Sequence, residues 1–302
     1  MDFMGRSYND KKVSSFLLPL DFIFIKKDKR QGNKNIIVKD GIIMSRKKCY
    51  QRTMREKIEE EDKQLYGEWW KELDLSPQNA EVRIITYQEA KEMITKYEWL
   101  GTMPKFPTLS VGLFFDNHLA GVEVFAEGKP GGKITLWTEP AIALARGCCV
   151  HWCPKWASSF LISKALKILT DYYNGQPRYV IAYSDWDAGE IGTVYQACSW
   201  CYLGHRKYPE WRNPEGKRYD EKHHRNIAMG RDKDWKTKRK INPDIVKEVK
   251  QEMLDNGWVV KKTMRGRYAT VIGYNSPEKR KLIKLLKEKS KPYPKEHKIE
   301  SK

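Results

Sequence analysis

The sequence predicts a mixed α/β fold around one sheet, on three observations. Between residues 81 and 204 the apolar spacing runs strand, helix, strand, strand, strand, helix, strand, helix, strand. Asp116 and Asn117 separate two apolar runs, which marks an antiparallel hairpin inside that order. Hydrophobic residues make up 40% of the chain, enough buried surface to offset the entropy of ordering it.

Residues 1–43 differ from the rest, with polar and basic stretches around two apolar patches, and read as a poorly packed leader. Met44 opens a basic stretch that looks like an internal translation start. Residues 44–80 form a charged helical extension in which Tyr66, Trp69 and Trp70 offer a docking stripe, ended by Ser76-Pro77. The compact core is expected over residues 81–205. Val82, Ile84 and Ile85 open it as a strand, and residues 87–99 form a helix with Ala90, Met93, Ile94 and Tyr97 inward. Residues 109–125 give the hairpin, and residues 134–152 a long, bulged strand. A helix follows over 156–173, then a strand at 178–184, a helix over 189–200 and a further strand from Cys201. Residues 206–302 read as a basic, aromatic-rich extension.

No run of eighteen apolar residues occurs, so no membrane span is expected, and the apolar stretch over 16–25 lacks a signal-peptide cleavage pattern. The protein is expected in the cytoplasm. Its formal net charge of +18 predicts an anionic partner, with nucleic acid first. Residues 206–302 hold 29 basic and 14 acidic residues, which places most of the excess there. Tyr208, Trp211, Tyr219, Trp235, Trp258, Tyr268, Tyr274 and Tyr293 interleave with those charges, as base stacking beside phosphate contacts requires. A solvated basic surface is the plainer alternative.

The pairs Cys149/Cys153 and Cys198/Cys201, with His151 and His205 nearby, have spacings that zinc sites use. Both pairs also fall on strand ends and a helix, where cysteine acts as a small hydrophobe, so a metal is left open.

Several residues suit chemistry on their own terms. Asp185 ends an apolar strand, where α/β proteins place reactive groups, and is a candidate general base; a turn-forming aspartate is the alternative. Arg146 stands in an otherwise apolar strand, where an unpaired guanidinium is costly, and is expected to bind an anionic ligand or to pair with Asp185 or Glu190. His151 and Glu190 are further catalytic candidates. The turn before the 156–173 helix can present free N–H groups to an anion, and Trp156, Ala157, Ser158 and Ser159 are its candidate residues for binding an anionic cofactor; Ser158 and Ser159 could equally only cap the helix.

The segments 145–166 and 183–204 together resemble the Mom family of bacteriophage DNA-modification proteins, over about residues 81–204. Members of that family look like diverged GNAT acyltransferases. The resemblance implies transfer of a methylcarbamoyl-type group to the exocyclic amine of adenine, which shields phage DNA from restriction in the host cytoplasm. It also implies that Tyr195 protonates a leaving group. The donor is open between an acyl-CoA-like and a glycine-derived molecule, because residues 153–159 lack the glycines of an ordinary CoA loop. The family's paired residues after the first helix do not carry over to residues 97–104. Another acyltransferase acting on nucleic acid, aminoacyl-tRNA-dependent ones included, and a non-catalytic DNA-binding protein are the alternative functions.

Overall fold

The computed structural model describes residues 36–39, 42–45, 49–127, 134–219, 222–234, 237 and 240–294. The chain divides into Met1–Lys47 and Lys48–Lys302. In the first unit, β1 (Ile36–Lys39) and β2 (Ile42–Ser45) pair antiparallel, with Ile36 opposite Ser45. Most of the expected leader lies outside the described residues.

The second unit opens with α1 (Tyr50–Tyr66) and a 3-10 turn (Trp69–Glu72). Next come β3 (Ala80–Ile84) and α2 (Tyr87–Tyr97), which starts on a capping box: Thr86 accepts from the Glu89 N–H while Glu89 accepts from Thr86. Ala90, Met93 and Ile94 are its buried face, as the spacing predicts. β4 (Pro107–Phe115) and β5 (His118–Ala126) form the hairpin, with Asp116 and Asn117 both at positive φ. Short polar side chains tolerate that conformation and its twist suits a two-residue hairpin.

The expected long strand is two strands. β6 (Ile134–Leu136) folds back on β7 (Glu139–Cys149) through a turn at Trp137, which takes φ 56°. α3 (Ala157–Tyr172), β8 (Arg178–Asp185) and a 3-10 turn (Trp186–Ala188) follow. The helix expected over 189–200 shrinks to α4 (Thr193–Ala197), because Gly189 and Gly192 both sit in the left-handed region.

Beyond residue 205 the chain is woven into the same sheet and does not hang from it. β9 (Cys201–Arg212) runs past that point to β10 (Arg218–Tyr219). Then come α5 (His223–Arg231), α6 (Pro243–Asp255), β11 (Val259–Ile272) and α7 (Pro277–Glu288). The nine-stranded sheet has the order β10-β9-β11-β8-β7-β5-β4-β3, with β6 on the side of β7. β11 therefore enters between β8 and β9, and pairs with β8 from Arg265 opposite Asp185 to Ile272 opposite Arg178. Several aromatics expected to stack on bases serve the interior instead. Tyr268 and Trp211 are buried, and Tyr219 and Trp258 pack with Trp211, Val249 and Met253 beside α5 and α6. Trp235 lies outside the described residues.

The main core lies on both sides of β4, β5 and β7, under α2 on one face and α3 on the other. α7 packs against β8 and β11, on the smaller cluster around Tyr179, Ile181 and Leu286.

Candidate functional site

The sheet opens at its one parallel pair. β7 and β8 are in register only from Ala141 opposite Tyr179 to Ala143 opposite Ile181. Past that point β7 stays with β5 and β8 stays with β11, so a wedge forms between them. The wedge begins at a β-bulge: Leu144 pairs with Phe125 and Arg146 with Val124, leaving Ala145 as the extra residue. A bulge bends a strand and re-aims its side chains. Arg146 uses the new direction to hold the loop after α2. Its Nε donates to the Thr102 carbonyl at 2.6 Å, Nη1 to the Ala145 carbonyl at 2.6 Å and Nη2 to Thr102 Oγ1 at 3.3 Å.

Three carboxyl groups and a phenol gather around this wedge. Glu98, at the end of α2, is 6% exposed and accepts from the backbone N–H groups of Leu100 and Gly101. Burial pushes its pKa up to about 7, against the pull of Arg146. Glu190 follows the turn at Gly189 and accepts a hydrogen bond from Trp99. Burial, then the neighbouring charges of Glu98 and Asp185, raise it to about 7 as well; Trp99 and Arg218 oppose them. Glu123, in the middle of β5, is buried opposite Gly147, and burial holds its carboxyl well above the usual range. A Cβ on Gly147 would fall 2.2 Å from Glu123 Oε2, so the glycine makes room for that carboxyl. Tyr195, on α4, lies between the rings of Trp200 (5.3 Å) and Tyr268 (5.2 Å). Burial raises its phenol first, and Glu123, Glu190 and Glu98 add to the effect.

Asp185 is committed to structure at both oxygens. Oδ1 accepts from the N–H groups of Asp187 (3.0 Å) and Ala188 (3.1 Å), which forms the turn leading to Glu190. Oδ2 pairs with Arg218. Arg218 also donates Nε to Glu210 at 2.8 Å and lies 5.2 Å from the centre of the Trp99 ring. The turn-forming alternative therefore describes Asp185 well, and Glu190 is the freer carboxyl.

Arg146, Asp185, Glu190 and Tyr195 thus come to one place. His151 does not join them. It is buried against Trp70, 4.7 Å between ring centres, with Nδ1 3.7 Å from Asp62. Arg55 donates to its carbonyl at 3.0 Å. The start of α3 is likewise occupied by its own packing. Trp156 lies against Phe115 and Phe160, Ala157 is buried, Ser158 Oγ points to Cys149 Sγ at 3.4 Å and Ser159 Oγ donates to the Trp156 carbonyl at 3.0 Å. Neither serine hydroxyl caps the helix. A CoA pyrophosphate fits this turn poorly, because it holds no glycine and the Ala157 N–H is already taken by the Pro154 carbonyl at 3.0 Å. Among the described residues, no three His, Cys, Asp or Glu side chains converge as a metal site would require.

Glu98, Trp99, Glu123 and Arg218 complete the site and escaped sequence reasoning. Glu123 carried a usable signal: it is the one acid in the apolar strand from Leu119 to Ala126, and the argument applied to Arg146 applies equally to it.

Carboxyls raised by burial and gathered where a sheet parts are an arrangement that enzyme clefts often use. The chain belongs to the Mom protein family, whose model matches residues 79–295. That span extends past the 81–204 region of resemblance and takes in β11 and α7. Membership makes phage DNA modification its function class and DNA its substrate. No curated protein matches the chain. No helix among the described residues is long and apolar enough to cross a membrane.

Proposed function

We propose that the chain transfers a small acyl-type group, of the methylcarbamoyl kind, to the exocyclic N6 amine of adenine in DNA. The observation that carries the reading is the wedge where β7 and β8 part, at which Glu98, Glu190 and Tyr195 lie close enough to influence one another's charge, in a chain of the Mom family. The adenine amine is a poor nucleophile because its lone pair is delocalised into the ring. As N6 bonds to the donor's electrophilic carbon, Glu190 takes the amine proton, and Tyr195 gives its proton to the departing group. Asp185 and Arg218 position Glu190 by fixing the turn before it, and Trp99 fixes its carboxylate. The base reaches the wedge after flipping out of the duplex. The splayed β7–β8 pair and the late strand β11 between β8 and β9 support a GNAT-like core.

Mass spectrometry of nucleosides from cells expressing the protein tests the reading. A deoxyadenosine of increased mass is expected with the native chain and not with Glu190→Gln. Unmodified DNA beside a modified tRNA or protein would overturn it in favour of an acyltransferase with another substrate.

A further inference from the structure

The outer part of the β8–β11–β9 surface has no role in the wedge chemistry, yet it gathers charge in an unusual way. Side chains two apart on a strand share a face, and residues opposite each other in register share it too. Asp185 is opposite Arg265, and Arg265 is opposite Arg206, so the three form one row across three strands. Tyr183 and Arg267 form the next row. At that row β9 bulges at Gly204, which takes φ 89° and leaves Lys291 room beside it. The result is a cavity of about 280 Å³ whose lining includes Arg206, Arg265, Arg267, Lys289 and Lys291 and no carboxylate. Among the described residues none of these five cations forms an ion pair. Two of them lie near ring faces, Arg265 5.3 Å from Tyr208 and Lys289 5.1 Å from Trp137.

Five cations around one concavity repel each other, and half-burial of Arg265 and Arg267 weakens the screening that water would supply. Such a cluster is stable at little cost only on the open surface, or when an anion fills it. The aromatic faces beside it are apolar and sequence-neutral, as in grooves that follow a polynucleotide backbone. Its position adds the last point, because the basic rows end at Asp185, beside the turn that carries Glu190.

We infer that this face is the phosphate-binding surface for duplex DNA, which holds the backbone while the target base enters the wedge next to it. The inference rests on the proposed function for its choice of polynucleotide.

Two double variants test it, Arg265→Gln/Arg267→Gln and Lys289→Gln/Lys291→Gln, in the full chain. A control, Lys164→Gln/Lys167→Gln, removes the same charge from exposed positions on α3, across the sheet. Binding of a fluorescent duplex is titrated between about 50 and 200 mM salt. Each phosphate interaction removed should reduce the slope of log K against log salt by about 0.9, so each patch variant should lose about two units and the control none. The exposed Arg206→Gln variant, expected to lose about one unit, keeps the test decisive if a double variant unfolds. Equal slopes in the patch and control variants would overturn the inference, because net charge alone would then explain binding. Loss of tRNA binding with duplex binding intact would overturn it in favour of an RNA surface. An unchanged slope in a chain that still modifies adenine removes the surface and spares the function. A reduced slope with no modified nucleoside does the reverse.

Discussion

Arg146 approaches Glu98 to 3.9 Å, Nε to Oε2, and yet the carboxyl of Glu98 stays near a pKa of 7. The guanidinium is already engaged with the Thr102 and Ala145 carbonyls, so its attraction falls short of the burial cost. The pair is a tether for the loop after α2 and not a closed ion pair.

Glu98→Gln should therefore stabilise the protein at alkaline pH. A carboxyl raised from 4.5 to about 7 binds its proton more tightly in the folded chain, so the native protein loses stability as pH rises from 4.5 through 7. Glutamine does not titrate. The variant should match the native protein near pH 4.5 and exceed it at pH 8, by at most about 3 kcal/mol. Because Glu98 also raises Glu190, the pH–rate profile for modification should move to lower pH. Denaturant melts at both pH values and a rate profile check the two halves; a profile that does not move would exclude Glu98 from the site.

Asp185→Asn should weaken modification and stability together without abolishing either. The amide oxygen can still accept from Asp187 and Ala188, but the charge-assisted bond to Arg218 is lost, which costs about 1.5–3 kcal/mol. Arg218 keeps Glu210 as its partner. A native melting point with no activity left would restore Asp185 as the base in place of Glu190.

Tyr195→Phe should slow turnover by roughly 10²–10⁴-fold, the range that a positioned acid supplies. The ring packing against Trp200 and Tyr268 survives, so the fold should hold. Single-turnover modification of a duplex measures the loss. Normal turnover would mean a leaving group that needs no proton.

Gly192→Ala should impair both fold and activity. Gly192 has φ 79°, and a Cβ there would fall 2.4 Å from Tyr268 Cε2. The left-handed conformation alone costs about 1–2 kcal/mol for alanine, and Tyr268 would have to leave its bond to the Ile191 carbonyl. Since α4 carries Tyr195, a lower melting point should come with slower modification. Calorimetry and the single-turnover assay read the two effects.

The order of elements from β3 to β8, the short β6 apart, was legible because each of the others is a periodic run with clear punctuation. The capping box at Thr86, the turn at Asp116 and Asn117, and the apolar strand ending at Asp185 all write their function locally. What escaped depends on pairing between distant residues. Nothing near Val259 announces that this strand will slip between β8 and β9, so the basic last third read as an extension. The site divides the same way. Arg146 and Glu190 stand out as lone charges, but Glu98 and Trp99 gain their meaning only when α2 ends above the wedge. Removing residues after His205 would thus take out a central strand, and cannot report on DNA binding alone.

The place of β11 has a consequence for how the protein comes to be active. Asp185 leaves the ribosome long before Arg265, its partner across the sheet, and at ordinary synthesis rates the wait is on the order of ten seconds. During that time β8 has only its short pairing with β7, and β9 has no neighbour on its inner edge. Such non-local closure makes folding slow, and it leaves every shorter nascent chain without a finished cleft. A chain that stops short of β11 therefore lacks the strand that pairs with β8 up to Asp185, and the turn leading to Glu190 is left without that support.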